Sequence, residues 1–143
     1  SECLVGSEMC IRDSLRIVDY KTGGSPKTPA NIEQLFTPSE SRPNYIFQTF
    51  LYAAIMSRQQ SLKVAPSLLY IHRAASESYS PVIEMGEPRQ PKIPVSNFAF
   101  FEDEFREHLQ RLLEEIFDKN EPFTQTEDTK KCAYCDFKAI CKR

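Results

Sequence analysis

The apolar and polar positions of this chain fall into short blocks of different period. Residues 15–20, LRIVDY, are mostly apolar and run into Lys21 and a Thr-Gly-Gly exit, which predicts a strand closed by a turn. Side chains alternate across a strand, so Asp19 and Lys21 share one face while Val18 and Tyr20 take the other. Residues 23–41 are rich in Pro, Gly and Ser and form a long connection. Within it, Asn31 followed by Gln34 has the spacing of a helix cap and predicts a short helix through Phe36. Pro43 suits a first helical turn. Residues 44–60 are apolar almost all round, the mark of a buried helix. Residues 64–72 and 80–86 predict two strands, and the Pro-rich residues 88–94 a loop. In residues 101–120, Phe105, Leu109, Leu112, Leu113, Ile116 and Phe117 recur at helical spacing, which predicts an amphipathic helix. A polar tail, residues 121–131, leads into a cysteine-rich end. The pattern contains no repeats and no low-complexity tract.

Composition narrows the class. The 143 residues, 41% hydrophobic and 27% charged, fit one soluble globular domain. The net charge of −2 makes no bulk electrostatic case for nucleic acid, so any DNA contact has to come from a local patch. No apolar run approaches the roughly 20 residues needed to span a bilayer. The first residues lack the basic start and apolar core of a signal peptide. Five cysteines is an odd number, and three of them lie within the last dozen residues. That arrangement points to a metal site rather than a secreted disulfide framework, and to a cytoplasmic protein.

Residues 1–14, SECLVGSEMCIRDS, show neither a helical nor a strand period. Their end, MCIRDS, is what the DNA string ATGTGTATAAGAGACAG plus one base encodes, and that string resembles the transposase end used to tag sequencing libraries. The expectation is an adapter scar, excluded from fold reasoning. Cys3, Cys10 and Asp13 then carry no function, and the natural protein continues upstream.

Three constellations carry chemistry. Asp19-x-Lys21 offers a carboxylate, a hard oxygen ligand suited to Mg²⁺. Beside it stands an ammonium able to hold an attacking water or offset charge on a phosphate. The plain alternative is a solvated strand end. Gln48-x-x-x-Tyr52 puts an amide and a phenol on one helical face; the alternative is a core tyrosine and a helix-end glutamine. Cys132-x2-Cys135-x5-Cys141 places three thiols within reach of one ion, as for Zn²⁺ or an iron–sulfur cluster; the alternative is a disulfide or buried thiols.

In this order and spacing, IVDYKTGG, YIFQTFLYAA and CAYCDFKAIC resemble the PD-(D/E)XK nuclease superfamily, in particular its RecB/AddB-like branch. The resemblance covers residues 15–143. It implies an α/β, restriction-endonuclease-like fold: a mixed sheet flanked by helices, here truncated at the N-terminus. It implies a metal-dependent DNA nuclease, part of a helicase–nuclease acting in DNA repair and recombination. Asp19, Lys21, Gln48 and Tyr52 take the catalytic positions. Asp19 holds Mg²⁺ (or Mn²⁺) with a second acid, and Lys21 orients a water for in-line attack on a phosphodiester. Gln48 and Tyr52 position the DNA strand or the lysine. Cys132, Cys135 and Cys141 join one upstream cysteine around a [4Fe–4S] cluster, with Zn²⁺ the second choice, and pin the tail to the core. The implied partners are DNA and a helicase domain or subunit, with no membrane.

The chain departs from the family pattern in two places. The family's other metal-binding Asp lies on a preceding strand, and nothing here matches it; Asp13 is too close to Asp19 to sit on a separate paired strand. The fourth cluster cysteine also belongs upstream. The fragment alone is therefore expected to be inactive. The competing function is a catalytically inactive nuclease-like DNA-binding scaffold stapled by a metal cluster, against which the intact D-x-K and QxxxY argue. Lys21-Thr22-Gly23 also matches the KTG box of serine penicillin-recognising enzymes, but no Ser-x-x-Lys nucleophile follows the scar. A bare zinc-binding DNA module is too small for these helices and strands.

Overall fold

A parallel strand pair needs a long crossover, and the chain between residues 21 and 63 supplies one. The computed structural model describes residues 14–142 apart from 60, 123 and 128. The scar expectation, with Cys3, Cys10 and Asp13, lies outside the described residues except for Ser14, which opens the first strand. Strand β1 (Ser14–Lys21) pairs in parallel with β2 (Lys63–Tyr70), in a register running from Ser14 opposite Lys63 to Lys21 opposite Tyr70. Between them come the long connection, a 3-10 turn (Glu33–Leu35) and helix α1 (Asn44–Ser57). The short turn is held by the predicted side chains: Gln34 N–H donates to Asn31 Oδ1 at 3.1 Å, and Ala30 N–H donates to Gln34 Oε1 at 2.9 Å. The result is the mixed α/β architecture expected from the sequence, a small parallel sheet with flanking helices, consistent with a restriction-endonuclease-like fold.

Helix α1 lies on the β1 face that carries Ile17, Asp19 and Lys21, while Tyr20 on the other face is 64% exposed. The expectation of a helix buried on all sides is corrected. Ile46, Thr49, Phe50, Ala53 and Ala54 form the buried stripe, whereas Tyr45, Tyr52 and Ile55 are exposed. Spacings of three and four residues define one stripe, and among the described residues one small sheet and one crossing helix cover only that stripe. Helix α1 also stops at Ser57 rather than 60. Arg106 Nη2 donates to the Ala54 carbonyl at 3.2 Å, satisfying one acceptor of its last turn.

Helix α2 (Ala99–Phe117) starts two residues earlier than expected, because Asn97 Oδ1 accepts from Ala99 N–H at 3.1 Å. Its Phe105 is fully buried among Phe50 and Phe98, with ring centroids 5.8 Å away in both edge-on pairs. Phe36 and Phe47 close the cluster from the long connection and from α1. Edge-to-face rings add to the area they bury, so this aromatic knot anchors α1 and α2 to each other.

The strands beyond β1 are shorter than the sequence suggests. Strand β2 ends at Tyr70, and residues 71–73 turn into a 3-10 helix. Residues 80–86 contribute only β3 (Glu84–Met85) and an isolated bridge from Val82 to Ser67; β3 pairs antiparallel with β4 (Ile93–Pro94), inside the expected loop. The outer edge of β2 shows why. Val64 O, Leu68 N–H and Tyr70 N–H all point away from β1, to Phe98, Pro81 and Tyr79. Pro66 lies in the same alternate set, so its missing N–H falls on this irregular edge rather than in the parallel ladder, which is where a strand tolerates proline. Tyr79 Oη accepts from Tyr70 N–H at 2.8 Å and donates to Leu68 O at 2.7 Å. One hydroxyl thus stands where a neighbouring strand would otherwise bond.

The chain divides into two compact units, Ser1–Leu112 and Leu113–Arg143. In the second, α2 ends at Phe117 rather than 120, where Asp118 Oδ1 accepts from Asn120 N–H at 2.9 Å. Helix α3 (Thr129–Ala133) carries Cys132, and a turn follows in which Cys135 N–H donates to Cys132 O. Among the described residues no helix is long and apolar enough to cross a membrane.

Candidate active site

The end of β1 and helix α1 bring four of the sequence-predicted residues into one hydrogen-bonded run. Lys21 Nζ lies 2.8 Å from Asp19 Oδ2 and donates to Gln48 Oε1, also at 2.8 Å. Gln48 Nε2 donates to Tyr52 Oη at 2.6 Å. Period 2 on the strand aligns the first pair, spacing four on the helix aligns the second, and the parallel crossover joins them.

The direction of each bond follows from chemistry. An ammonium has three donors and no acceptor, so Gln48 must turn its carbonyl oxygen to Lys21. Its NH₂ is then left for Tyr52, whose oxygen accepts. The Tyr52 O–H proton remains available to another acceptor, on a ring that is 39% exposed. Two of the three Lys21 N–H groups are used by Asp19 and Gln48, which leaves one. Among the described residues, both contacts to Asp19 land on Oδ2, since the fully buried Thr49 hydroxyl also reaches it, at 3.5 Å.

Three further residues were not singled out in the sequence. Tyr45 lies beneath Lys21, with its ring centroid 4.4 Å from Nζ. Thr49 bonds Tyr45 O at 2.8 Å as well as approaching Asp19. Tyr70, opposite Lys21 in the register, is buried beside Tyr45 and Tyr79. Burial pushes its phenol pKa up, helped by Tyr79, Tyr45 and the Asp19 carboxylate. A signal for Tyr45 existed: it stands three residues before Gln48, on the same helical face.

A cavity of about 250 Å³ adjoins Tyr45 and is lined by Gly24, Lys27, Arg42 and Tyr70. A larger one of about 480 Å³ shares Lys27, Ile46 and Tyr70 and reaches His72 and Arg73. Lys27 is engaged with the carbonyls of Ser41 and Arg42, and Arg42 with that of Leu35.

For a hard divalent cation the donor chemistry is suitable, since Asp19 is a carboxylate at the open end of a strand and Mg²⁺ keeps several waters and takes few protein ligands. Among the described residues, however, no three His, Cys, Asp or Glu side chains gather as a metal-holding group. Cys132, Cys135 and Cys141 are half-buried, no disulfide joins them, and they do not converge on one point.

The strand that ends in an acid and a lysine is thus braced by polar residues of the crossover helix. The family model of the PD-(D/E)XK nuclease superfamily matches residues 11–142, and the chain belongs to that superfamily. No curated protein and no solved structure matches the chain. Nucleases of this superfamily use divalent metals such as Mg²⁺ and bind DNA.

Proposed function

We propose that this chain carries the catalytic strand and crossover helix of a Mg²⁺-dependent deoxyribonuclease of the RecB/AddB-like branch, working with a helicase domain or subunit in DNA repair and recombination. The observation that supports it is the continuous run from Asp19 through Lys21 and Gln48 to Tyr52. The metal, when bound, neutralises phosphate charge and lowers the pKa of a coordinated water. Asp19 holds it through its carboxylate, together with a second acid from outside the described residues. Lys21 gives its remaining N–H to the attacking water or to a phosphate oxygen, where negative charge grows as the new P–O bond forms and the leaving oxygen departs. Gln48 fixes the direction of the ammonium. Tyr52 fixes the amide and offers its O–H to the DNA strand.

A soft metal centre at Cys132, Cys135 and Cys141, [4Fe–4S] in preference to Zn²⁺, belongs to the same reading and rests on the spacing of the motif. Metal binding draws thiolates together as it folds a site.

One observation favours the second reading, an inactive DNA-binding scaffold: among the described residues no three His, Cys, Asp or Glu side chains gather at the site to hold a metal. The test is cleavage of labelled DNA by the natural gene product that contains this chain, with Mg²⁺ and with chelator, alongside Lys21→Ala. Mg²⁺-dependent cutting lost in the variant supports the nuclease; DNA binding without any cutting supports the scaffold.

A further inference from the structure

We infer that Tyr45 is a positioning residue for Lys21: its ring face, not its hydroxyl, holds the ammonium in line with Asp19 and Gln48. The inference rests on the nuclease reading for its kinetic consequence, but not for its geometry.

Three independent features converge on the ring. The first is direct contact, with Lys21 Nζ 4.4 Å from the ring centroid, inside the distance at which an aromatic face attracts a cation. The ammonium then has a carboxylate, an amide oxygen and a ring as its surroundings, and its side chain is only 14% exposed. The four-carbon stem of a lysine is flexible, and two hydrogen bonds leave it free to rotate about the line joining its partners. A surface beneath it removes that freedom.

The second feature is helical spacing. Tyr45, Gln48 and Tyr52 recur at intervals of three and four along α1, so one face presents both the ring and the amide to the strand end. The helix backbone is tied there as well, because Thr49 Oγ1 donates to the Tyr45 carbonyl.

The third is the strand exit. Gly24 has φ +81°, and a Cβ at this position would lie 3.0 Å from Tyr45 Cε2 and 3.7 Å from its oxygen. The turn after Lys21 therefore passes close to the ring, and a side chain there would be strained by the dihedral and crowded by Tyr45. Strand, turn and helix thus all meet at the ring.

The hydroxyl has a different setting. It stands at the end of a ring that is 40% exposed and that lines the 250 Å³ cavity. A role through the hydroxyl would need the oxygen, whereas a role through the face survives its removal. This separates the proposal from direct contact with substrate.

The experiment compares Tyr45→Phe with Tyr45→Leu in the natural gene product. The first readout needs no metal and no activity. With ¹³C-labelled lysine, the ε-methylene protons of Lys21, assigned by their loss in Lys21→Arg, should resonate upfield of the other lysines. They should stay there in Tyr45→Phe and return to the ordinary position in Tyr45→Leu. The second readout is DNA cleavage. Tyr45→Leu should lose roughly 3- to 30-fold in kcat with KM within about twofold, and Tyr45→Phe should restore most of that loss. An ordinary Lys21 shift in the unmodified protein overturns the proposal. So does a Phe variant as impaired as Leu, or a Leu variant altered in KM alone. An unmodified protein with the displaced resonance that cuts no DNA refutes the nuclease reading while upholding the placement of Lys21 by the ring.

Discussion

Lys21 and Asp19, two residues apart on β1, face each other across 2.8 Å with only 14% and 15% of their side chains exposed. Each partner and the Gln48 amide compensate the hydration that the other loses. Removing either member leaves the other mostly buried without its opposite charge. Asp19→Ala and Lys21→Ala should each cost about 1–3 kcal/mol of stability, below the loss for a fully buried pair, and leave a cooperatively folding protein. Both should lower Mg²⁺-dependent cleavage by at least about 100-fold. Urea titrations set beside cleavage rates check this; full activity in either variant rejects the assignment of that residue.

The Gln48 amide is held between one donor and one acceptor, so the two helix residues should differ in how they fail. Gln48→Ala frees Lys21 on one side and should cut kcat by about 10-fold, in line with the loss of one hydrogen bond to a charged group. Tyr52→Phe leaves Gln48 Nε2 at a partly exposed site that water can serve, and removes the O–H proposed to meet DNA. Its effect should fall on KM more than on kcat. Steady-state kinetics on a labelled strand distinguish the two. A variant that unfolds the domain at unchanged specific activity marks a packing role for that residue.

What could be read in advance was what a local period controls. Alternation along β1 placed Asp19 and Lys21 together and Tyr20 away, and the Asn31–Gln34 spacing found its short turn. Spacing four on α1 paired Gln48 with Tyr52. The misses came from contacts between segments distant in sequence. Strand β2 gives way to a 3-10 helix after Tyr70, whose N–H is taken on the outer edge by the Tyr79 hydroxyl nine residues on. Strand β4 forms in a Pro-rich stretch because Lys92 Nζ bonds the Gly86 and Glu87 carbonyls and steadies the reversal. Beyond its spacing to Gln48, Tyr45 gave no separate signal, since a ring that packs and a ring that seats a cation look alike in sequence.

Tyr70 gives the protein an alkaline weakness. Its phenol pKa is raised by burial first and by Tyr79, Tyr45 and Asp19 after that. The folded state therefore holds this proton more tightly than the unfolded chain does. The stabilisation is complete below the unfolded value of about 10 and is lost as pH rises through the folded value. Unfolding free energy should fall as pH rises past about 10 toward the raised folded value, and Tyr70→Phe should flatten that fall. Urea midpoints across this range test it. An equally steep fall in Tyr70→Phe would assign the effect to other groups.

The cysteine-rich end makes the most separable prediction, because colour and metal content report on it without any DNA. The three thiols lie on α3 and the turns after it, half-buried, with no disulfide between them and no convergence on one point. Helix α3 is only five residues long, too short to be stable by itself in water, so this stretch needs a tether to hold its shape. A cluster or ion bound by thiolates supplies several kcal/mol or more to such small segments. The natural gene product, purified without oxygen, should be brown and contain iron and sulfide. Cys135→Ser should bleach it and make residues 129–142 susceptible to protease, while amide exchange in β1, α1 and β2 stays slow. A colourless protein with stoichiometric zinc would exchange the cluster for Zn²⁺. A metal-free protein whose tail resists protease equally well with and without Cys135 would remove the metal centre altogether.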